Sequence, residues 1–445
     1  MTVKIHADAS PEKRLFISLL TRDIPLIAAI LDLLDNSINA AILPLSDRLT
    51  NADEYMEVLR DETVAPKVSI ALSFSPTQVE ITDTASGISS ETASTHVFKF
   101  GRAGGPGHED DRLSVYGIGL KRAMFKIGNK IAMRSDHVDG GFDLSLNVAN
   151  WAKKKQDHWT FDITKRPAAS QDGCGTRIAI TELYDDVSRR LNDGIFEGQL
   201  VEAIAKTYSY FLAKFVNITV NDKLVEGVNI EIGENHSSEK FEFDDVTCAI
   251  TAGIGIPQAG AFRDKSSGWF VFCNGRAVIA ADKSSLTGWG GVGLPIFQPK
   301  HRPFIGTVFF VSKDPEQLPW TTTKSAINED SALWQTAKRN MIAIGRIVVS
   351  FLDGRYTDDG TEVASKDLQE AAGTSKLTVL AAAVGERKSF TAPKRPRQET
   401  TKIQYDAKIE EVRAISTYLK RQSMSGSDVG RYTFNYFLRN QVGEK

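Results

Sequence analysis

The stretch Ala28-Ala-Ile-Leu-Asp-Leu-Leu-Asp-Asn-Ser-Ile-Asn-Ala-Ala41 carries the spacing that decides the fold. At about 100° per residue, Ile27, Ile30, Leu31, Leu34, Ile38 and Ala41 gather on one side of a helix, and Asp32, Asp35, Asn36 and Asn39 gather on the other. The apolar side predicts a core-facing helix. The polar side places two carboxylates and two carboxamides within about two turns, which suits it to hold a divalent cation and steer a water molecule. Taken alone, the same pattern also describes a surface helix whose polar side meets solvent, so the neighbouring sequence has to decide.

Upstream, residues 10–23 begin with Ser-Pro and continue with apolar residues at helical spacing, predicting a short helix. Downstream, residues 46–66 read as a polar, helical excursion. Val68–Phe74 and Gln78–Thr82 then alternate as two strands around a Ser-Pro turn, ending on Asp83. In Asp83-Thr-Ala-Ser-Gly87 a carboxylate stands at a strand end, and a glycine four residues later lets backbone approach a ligand. A glycine-dense loop, Phe100-Gly-Arg-Ala-Gly-Gly-Pro-Gly-His108, precedes Tyr116-Gly-Ile-Gly-Leu-Lys121. Gly117 and Gly119 let backbone amides crowd an anion at the start of a helix near Leu120, and Lys121 adds a cation, so this is the pattern of a phosphate cradle under a mobile lid. It matches neither the Walker loop nor the six-residue dinucleotide fingerprint.

Strands expected at 130–134, 142–148, 158–163 and 176–183 form one antiparallel sheet, covered on one face by helices 10–43 and 119–128. The fold class is therefore α+β, with residues 1–185 a two-layer α/β sandwich. A helix at 195–214 leads to a second β-rich block with strands at 246–256, 268–281 and 303–312. Asn274-Gly275 supplies both positive-φ residues of a tight hairpin turn there. The loop Gln317–Asn328 carries Lys324 and precedes a long apolar helix at 331–352. Residues 354–402, rich in charge, Gly, Ser and Thr, read as a linker ending in a basic stretch, and 403–445 as a helical C-terminal segment.

Composition narrows the functional classes. The chain has 445 residues, 41% hydrophobic and 25% charged, and a formal net charge of −2, so nucleic-acid or membrane contact needs a local patch. No uninterrupted apolar run reaches the roughly 18 residues of a membrane span, and the first residues lack a signal-peptide core, which predicts a cytoplasmic protein with no membrane partner. Cys174, Cys248 and Cys273 lie far apart without paired spacing and read as small buried hydrophobes, not as a zinc site or a disulfide framework.

In series, these motifs resemble the GHKL (Bergerat-fold) ATPases, the superfamily of DNA gyrase B subunits, heat-shock chaperones of the ninety-kilodalton class, histidine kinases and MutL proteins. The nearest look is to prokaryotic microrchidia (MORC)-like members, through Leu34-Asp-Asn36-Ser, Phe100-Gly101 and Tyr116-Gly-Ile-Gly-Leu-Lys121. The resemblance implies ATP and Mg²⁺ as cofactors. It makes Asn36 the magnesium ligand, Asp83 the acceptor of the adenine amino group and Thr176 its support. It puts Asn39, Gly87, Gly101, Gly117 and Gly119 near nucleotide, and Lys121 at a phosphate. It further implies a transducer-like domain over 186–353 that sends Lys324 to the γ-phosphate, where the cation serves catalysis and senses ATP against ADP.

Two positions depart from the family pattern. The usual general base is a glutamate four residues before the metal asparagine. Asp32 stands there, its carboxylate about 1.5 Å further back, and a misplacement of about 1 Å can cost on the order of a hundredfold in rate. Ala85 occupies the first glycine site of the usual Asp-x-Gly-x-Gly. The implied function is an ATPase switch with slow hydrolysis that dimerises around nucleotide, possible clients being DNA or a partner protein, for instance in a bacterial defence system. The alternatives are a non-hydrolysing ATP-sensing module and a histidine-kinase-like phosphotransferase. The last is disfavoured because no helical hairpin with a phosphoacceptor histidine precedes the domain.

Overall fold

The computed structural model describes residues 12–65, 68–101, 112–113, 117–154, 159–256, 266–291, 293–356, 367–373, 376–378, 388–393, 403–421 and 424–443. Residues 102–111 and 114–116, read as the lid, and 394–397 of the basic stretch that ends the linker lie outside them. The chain forms two compact units, Met1–Pro393 and Lys394–Lys445.

In the first unit, helices α1 (Lys13–Thr21), α2 (Leu26–Ile42) and α3 (Ala52–Arg60) precede strands β1 (Val68–Ser75) and β2 (Gln78–Asp83). After the single turn α4 (Ser90–Thr92) come α5 (Gly119–Ile127), β3 (Gly128–Asp136), β4 (Phe142–Asn147), α6 (Val148–Lys153), β5 (Ile163–Lys165) and β6 (Gly175–Leu183). Helices α7 (Asp185–Leu191), α8 (Phe196–Thr207) and α9 (Ser209–Lys214) lead to β7 (Val216–Val220) and β8 (Lys223–Leu224). The eight strands make one sheet in the order β5-β4-β3-β6-β2-β1-β7-β8. Burial alternates along β1, Val68, Ile70 and Leu72 being buried and Ser69 and Ala71 exposed, because α2 covers one face and solvent the other. The expected two-layer α+β sandwich is therefore present.

Three details differ from the sequence reading. The sheet is mixed, since β7 pairs in parallel with β1, Ile70 facing Ile218, and so it draws on residues beyond 185. Strand β5 begins at Ile163 rather than 158, because Trp159 and Phe161 pack into a ring cluster with Phe100 and Trp151 instead of joining the ladder. Helix α2 is enclosed on nearly every side: Leu33 is buried along with Ile30, Leu34 and Ile38, and of the polar residues only Asn36 is exposed. By length and composition Leu26–Arg48 could also cross a membrane, but Ile30, Leu31, Leu33, Leu34, Ile38 and Ile42 are buried in the core.

The second sheet contains β9 (Glu231–Phe243), β10 (Val246–Gly255), β11 (Gly268–Cys273), β12 (Arg276–Asp282) and β13 (Phe304–Val311), with β14 (Lys376–Thr378) at its edge, in the order β12-β11-β13-β10-β9-β14. All eight residues of β13 are buried, as its run, apolar but for Thr307, requires when both faces are covered. Helix α10 (Ala332–Asp353) packs against β10 and β13, and α3 meets the same two strands. Strand β9 escaped the sequence reading because its polar Glu-Asn-His-Ser-Ser-Glu-Lys core lacks strand propensity. Part of the stretch read as linker also belongs here: helix α11 (Asp367–Ala372) and β14 pack on β9, and Phe390 is buried against Phe351. Cys174, Cys248 and Cys273 are buried free thiols. Among the described residues of the second unit, α-helices span Ile409–Tyr418 and Gly426–Phe437, the latter opened by a Ser425–Asp428 capping box.

Candidate functional site

Helix α2, the start of α5 and the loop before α10 converge on one pocket, lined by Asp32, Asp35, Asn36 and Asn39, by Leu113, Ile118, Gly119 and Arg122, and by Thr322 and Lys324. Ion pairs dominate its wall. Arg122 reaches across from α5 and directs both Nε, at 2.9 Å, and Nη2 to Asp32 Oδ2. Lys324 Nζ lies 2.5 Å from Asp35 Oδ2 and 3.8 Å from Asp32 Oδ1. Arg276, the first residue of β12, donates through Nε to Asp35 Oδ1 at 2.9 Å and through Nη1 to the Lys324 carbonyl at 2.6 Å. The Tyr208 hydroxyl stands 2.7 Å from Asp35 Oδ1.

All five charged groups are buried. Three cations (Arg122, Arg276, Lys324) face two carboxylates (Asp32, Asp35), so the cluster carries one positive charge in excess and invites an anion. Burial alone would push the Asp35 carboxyl up, but Arg276 and Lys324, with the Lys324 and Tyr208 hydrogen bonds, hold it below the ordinary carboxylate range. Asp32 Oδ1 is buried and accepts no hydrogen bond among the described residues.

Lys324 sits at φ +52°, an unfavourable backbone state for a side-chain-bearing residue. The loop fixes it there: Lys324 N donates to Thr321 O and Thr321 N to Ala326 O, beneath a bridge between Trp320 and Ile327. Such a backbone state persists only because its surroundings, here the loop hydrogen bonds and the buried ion cluster, hold it. On the other wall, Gly119 opens α5 against Asp32. A Cβ there would meet the Asp32 carboxylate carbon at 3.7 Å, ordinary contact that would nevertheless fill the pocket in front of the free amides of the helix start.

Asn36 Nδ2 donates to the Asp32 carbonyl at 2.6 Å, and its Oδ1 has no partner among the described residues. Asn39 Oδ1 accepts from Arg112 N at 2.9 Å, tying the end of the lid segment to α2. From the second sheet, Asn274 donates to the Arg112 carbonyl at 2.8 Å. Its hairpin turn has the expected geometry, Asn274 at φ +46° and Gly275 at +82°.

Asp83 forms a neighbouring polar centre joined to α2 by Ser37, whose hydroxyl donates to Asp83 Oδ2 at 2.7 Å. Asp83 Oδ1 accepts from Ala85 N at 3.1 Å and Thr176 N at 3.3 Å. Burial raises the Asp83 carboxyl above its ordinary value despite these bonds. Thr176 Oγ1 is 3.0 Å from Ser135 Oγ. Ala85, buried at the first glycine position, requires no positive φ. Gly87 does, at +68°, and a Cβ there would come within 2.0 Å of the Asp136 carbonyl. Gly87→Ala is thus expected to destabilise the protein by at least about 2 kcal/mol, read from the urea midpoint, and an unchanged midpoint would show that this backbone is not constrained.

Lys121 differs from its expected place. Its ammonium donates to the carbonyls of Val97 at 2.8 Å and Lys99 at 2.6 Å and lies 5.6 Å from the Phe100 ring, so it fastens the Phe-Gly loop instead of lining the pocket. Burial pulls its pKa down to about 8. Gly101, at φ +101°, follows that anchor, and Gly117, at +60°, precedes the pocket residues Ile118 and Gly119. Tyr116 lies outside the described residues.

The sequence reading missed Arg122, Arg276 and Tyr208. For Arg122 a signal existed: it stands four residues after Ile118 and three after Gly119, on the face of α5 that its first residues share, whereas Lys121 is rotated away. Nothing local marks Arg276 or Tyr208.

Residues 24–177 match the family model described as histidine kinase-, DNA gyrase B- and HSP90-like ATPase. The match contains α2, Asp83, the lid and Thr176, and excludes Arg276 and Lys324. No curated protein matches the chain.

Proposed function

We propose that the protein is an ATP-driven conformational switch that binds ATP with Mg²⁺, hydrolyses it slowly, and closes as a dimer around it. The observation that carries this reading is Asp32 Oδ1, buried between the start of α5 and Lys324 and accepting no hydrogen bond among the described residues, its ion-pair partner Lys324 Nζ standing 3.8 Å away. The residues present fit a magnesium-bound polyphosphate in four respects: the excess positive charge, the side-chain-free helix start at Gly119, and the Asn36 Oδ1 and Asp32 Oδ1 atoms, neither of which accepts a hydrogen bond among the described residues. When bound, Mg-ATP supplies an electrophilic γ-phosphoryl group whose charge the metal partly offsets.

Each residue then has a task. Asn36 Oδ1 would complete the metal's oxygen shell. Asp83, held by Ser37 and Thr176, would accept the adenine amino hydrogen. Asn39, Gly87, Gly101, Gly117 and Gly119 shape the backbone beside the ligand, and Lys121 steadies the lid root. Asp32 Oδ1 would orient the attacking water and accept its proton. Lys324 would exchange Asp35 for the terminal phosphate, and because Arg276 and Lys324 belong to the second sheet and its loop, that exchange passes the nucleotide state beyond the first sheet.

Calorimetric titration of the full chain with a non-hydrolysable ATP analogue should give saturable, Mg²⁺-dependent binding, weakened at least about tenfold by Asn36→Ala. Sedimentation should show dimer with the analogue and lighter species without it. Absence of Mg²⁺-dependent binding in the wild type would remove the reading, and unchanged mass would remove its dimer component.

A second reading, an ATP-sensing clamp without turnover, draws on the short Asp32 side chain and the Arg122 contact to its other oxygen. Phosphate release over hours with excess ATP separates the two. The finer MORC-like resemblance extends the proposal to DNA or a partner protein as client. It would be supported by a salt-sensitive DNA affinity lost on deleting the basic stretch at 387–397.

A further inference from the structure

The role of Arg122 follows from its three donors. Nε and Nη2 converge on one oxygen of Asp32, and Nη1 makes a long 3.4 Å hydrogen bond to the Thr322 carbonyl in the lysine loop. One rigid, buried fork thus touches α2 and the loop from a third element, α5. By occupying Oδ2 it fixes the carboxylate plane and leaves Oδ1, which accepts no hydrogen bond among the described residues, as the available acceptor. An aspartate at this position needs such a brace, because its carboxylate hangs close to the helix and its reach cannot be tuned by a further methylene. Helix α5 starts at Gly119 on the pocket wall, one turn before Arg122, so a ligand seated at that helix start acts on the same rigid segment that holds the fork.

We propose that Arg122 is the positioning residue that couples docking of the Lys324 loop to the orientation of Asp32. It sets the carboxylate in its working pose only while Thr322 is within reach. The coupling role rests on the ATP-switch reading, whereas the fastening of the loop does not.

The test uses the full chain with Arg122→Lys and Arg122→Ala. Lysine keeps the charge that Asp32 needs for folding but has one small head in place of the fork, so it cannot serve both partners. For Arg122→Lys, turnover should fall at least about tenfold while affinity for the non-hydrolysable analogue stays within about threefold, a split that a merely structural defect would not produce. In nucleotide-free protein, amide hydrogens of residues 321–326 should exchange at least about tenfold faster in both variants. Unchanged turnover and unchanged exchange in Arg122→Lys would overturn the proposal. Raised turnover would do so as well, since Arg122 would then restrain Asp32 instead of positioning it. If the wild type neither binds nor hydrolyses ATP, the switch reading fails, and the exchange comparison alone decides whether Arg122 fastens the loop.

Discussion

Asp35→Ala is expected to lower the stability of the protein by about 3–5 kcal/mol, the range for breaking a buried ion pair by removing one partner. The mechanism is specific. Arg276 would lose its Nε acceptor and Lys324 its 2.5 Å partner while both stay buried, and the cluster would pass from one excess positive charge to two. Urea unfolding measures the loss, and a change below about 1 kcal/mol would mean that water reaches these groups. Inorganic tripolyphosphate should restore part of the deficit by supplying the missing negative charge. The pH dependence has a definite sign. A carboxyl held below its unfolded value contributes stability that is complete above about pH 5 and lost as pH falls through about 4 toward the depressed folded value. The gap between wild type and variant should therefore be flat near neutrality and close in acid.

Asp32→Asn is expected to reduce ATP turnover by about 10² to 10⁴-fold, the contribution of a positioned general base, while leaving analogue binding in place. Asparagine is preferable to alanine because it preserves an acceptor for Arg122, which is 4% exposed and would otherwise be stranded. The reciprocal change, Asp32→Glu, lengthens the side chain toward the pocket and should raise turnover if reach limits the rate. Equal phosphate release by wild type and Asp32→Asn would remove Asp32 as the base. A wild type without release, but with intact Mg²⁺-dependent binding, would favour the sensing clamp.

Much of the first domain was legible because its signals are local. The 3.6-residue period marked α2, alternation marked β1, β2, β3 and β6, and Asn274-Gly275 marked its hairpin. Asp32, Asn36, Asn39, Gly119 and Lys324 do share one pocket. What stayed hidden depends on contacts between distant residues: Arg122 and Asp32 are 90 positions apart, Arg276 and Asp35 241. A lone arginine in a helix or just after a hairpin turn gives no sign of which carboxylate it will meet. The polar face of α2 was read as a site for a cation and a water molecule; the charges of opposite sign that the second sheet and its loop set against that face were not foreseen.

The parallel seat of β7 beside β1 has a practical consequence for anyone cutting the protein into pieces. A fragment ending at 185 would lack β7 and β8 and leave Val68–Leu72 as a naked strand edge, apolar on one side and open to edge-to-edge pairing between chains. The whole chain closes that edge with β8, only two residues long and bearing the exposed Lys223. A fragment carried through Leu224 should aggregate less through this edge in light scattering than the shorter one, while both bare the side of α3 that meets β10 and β13.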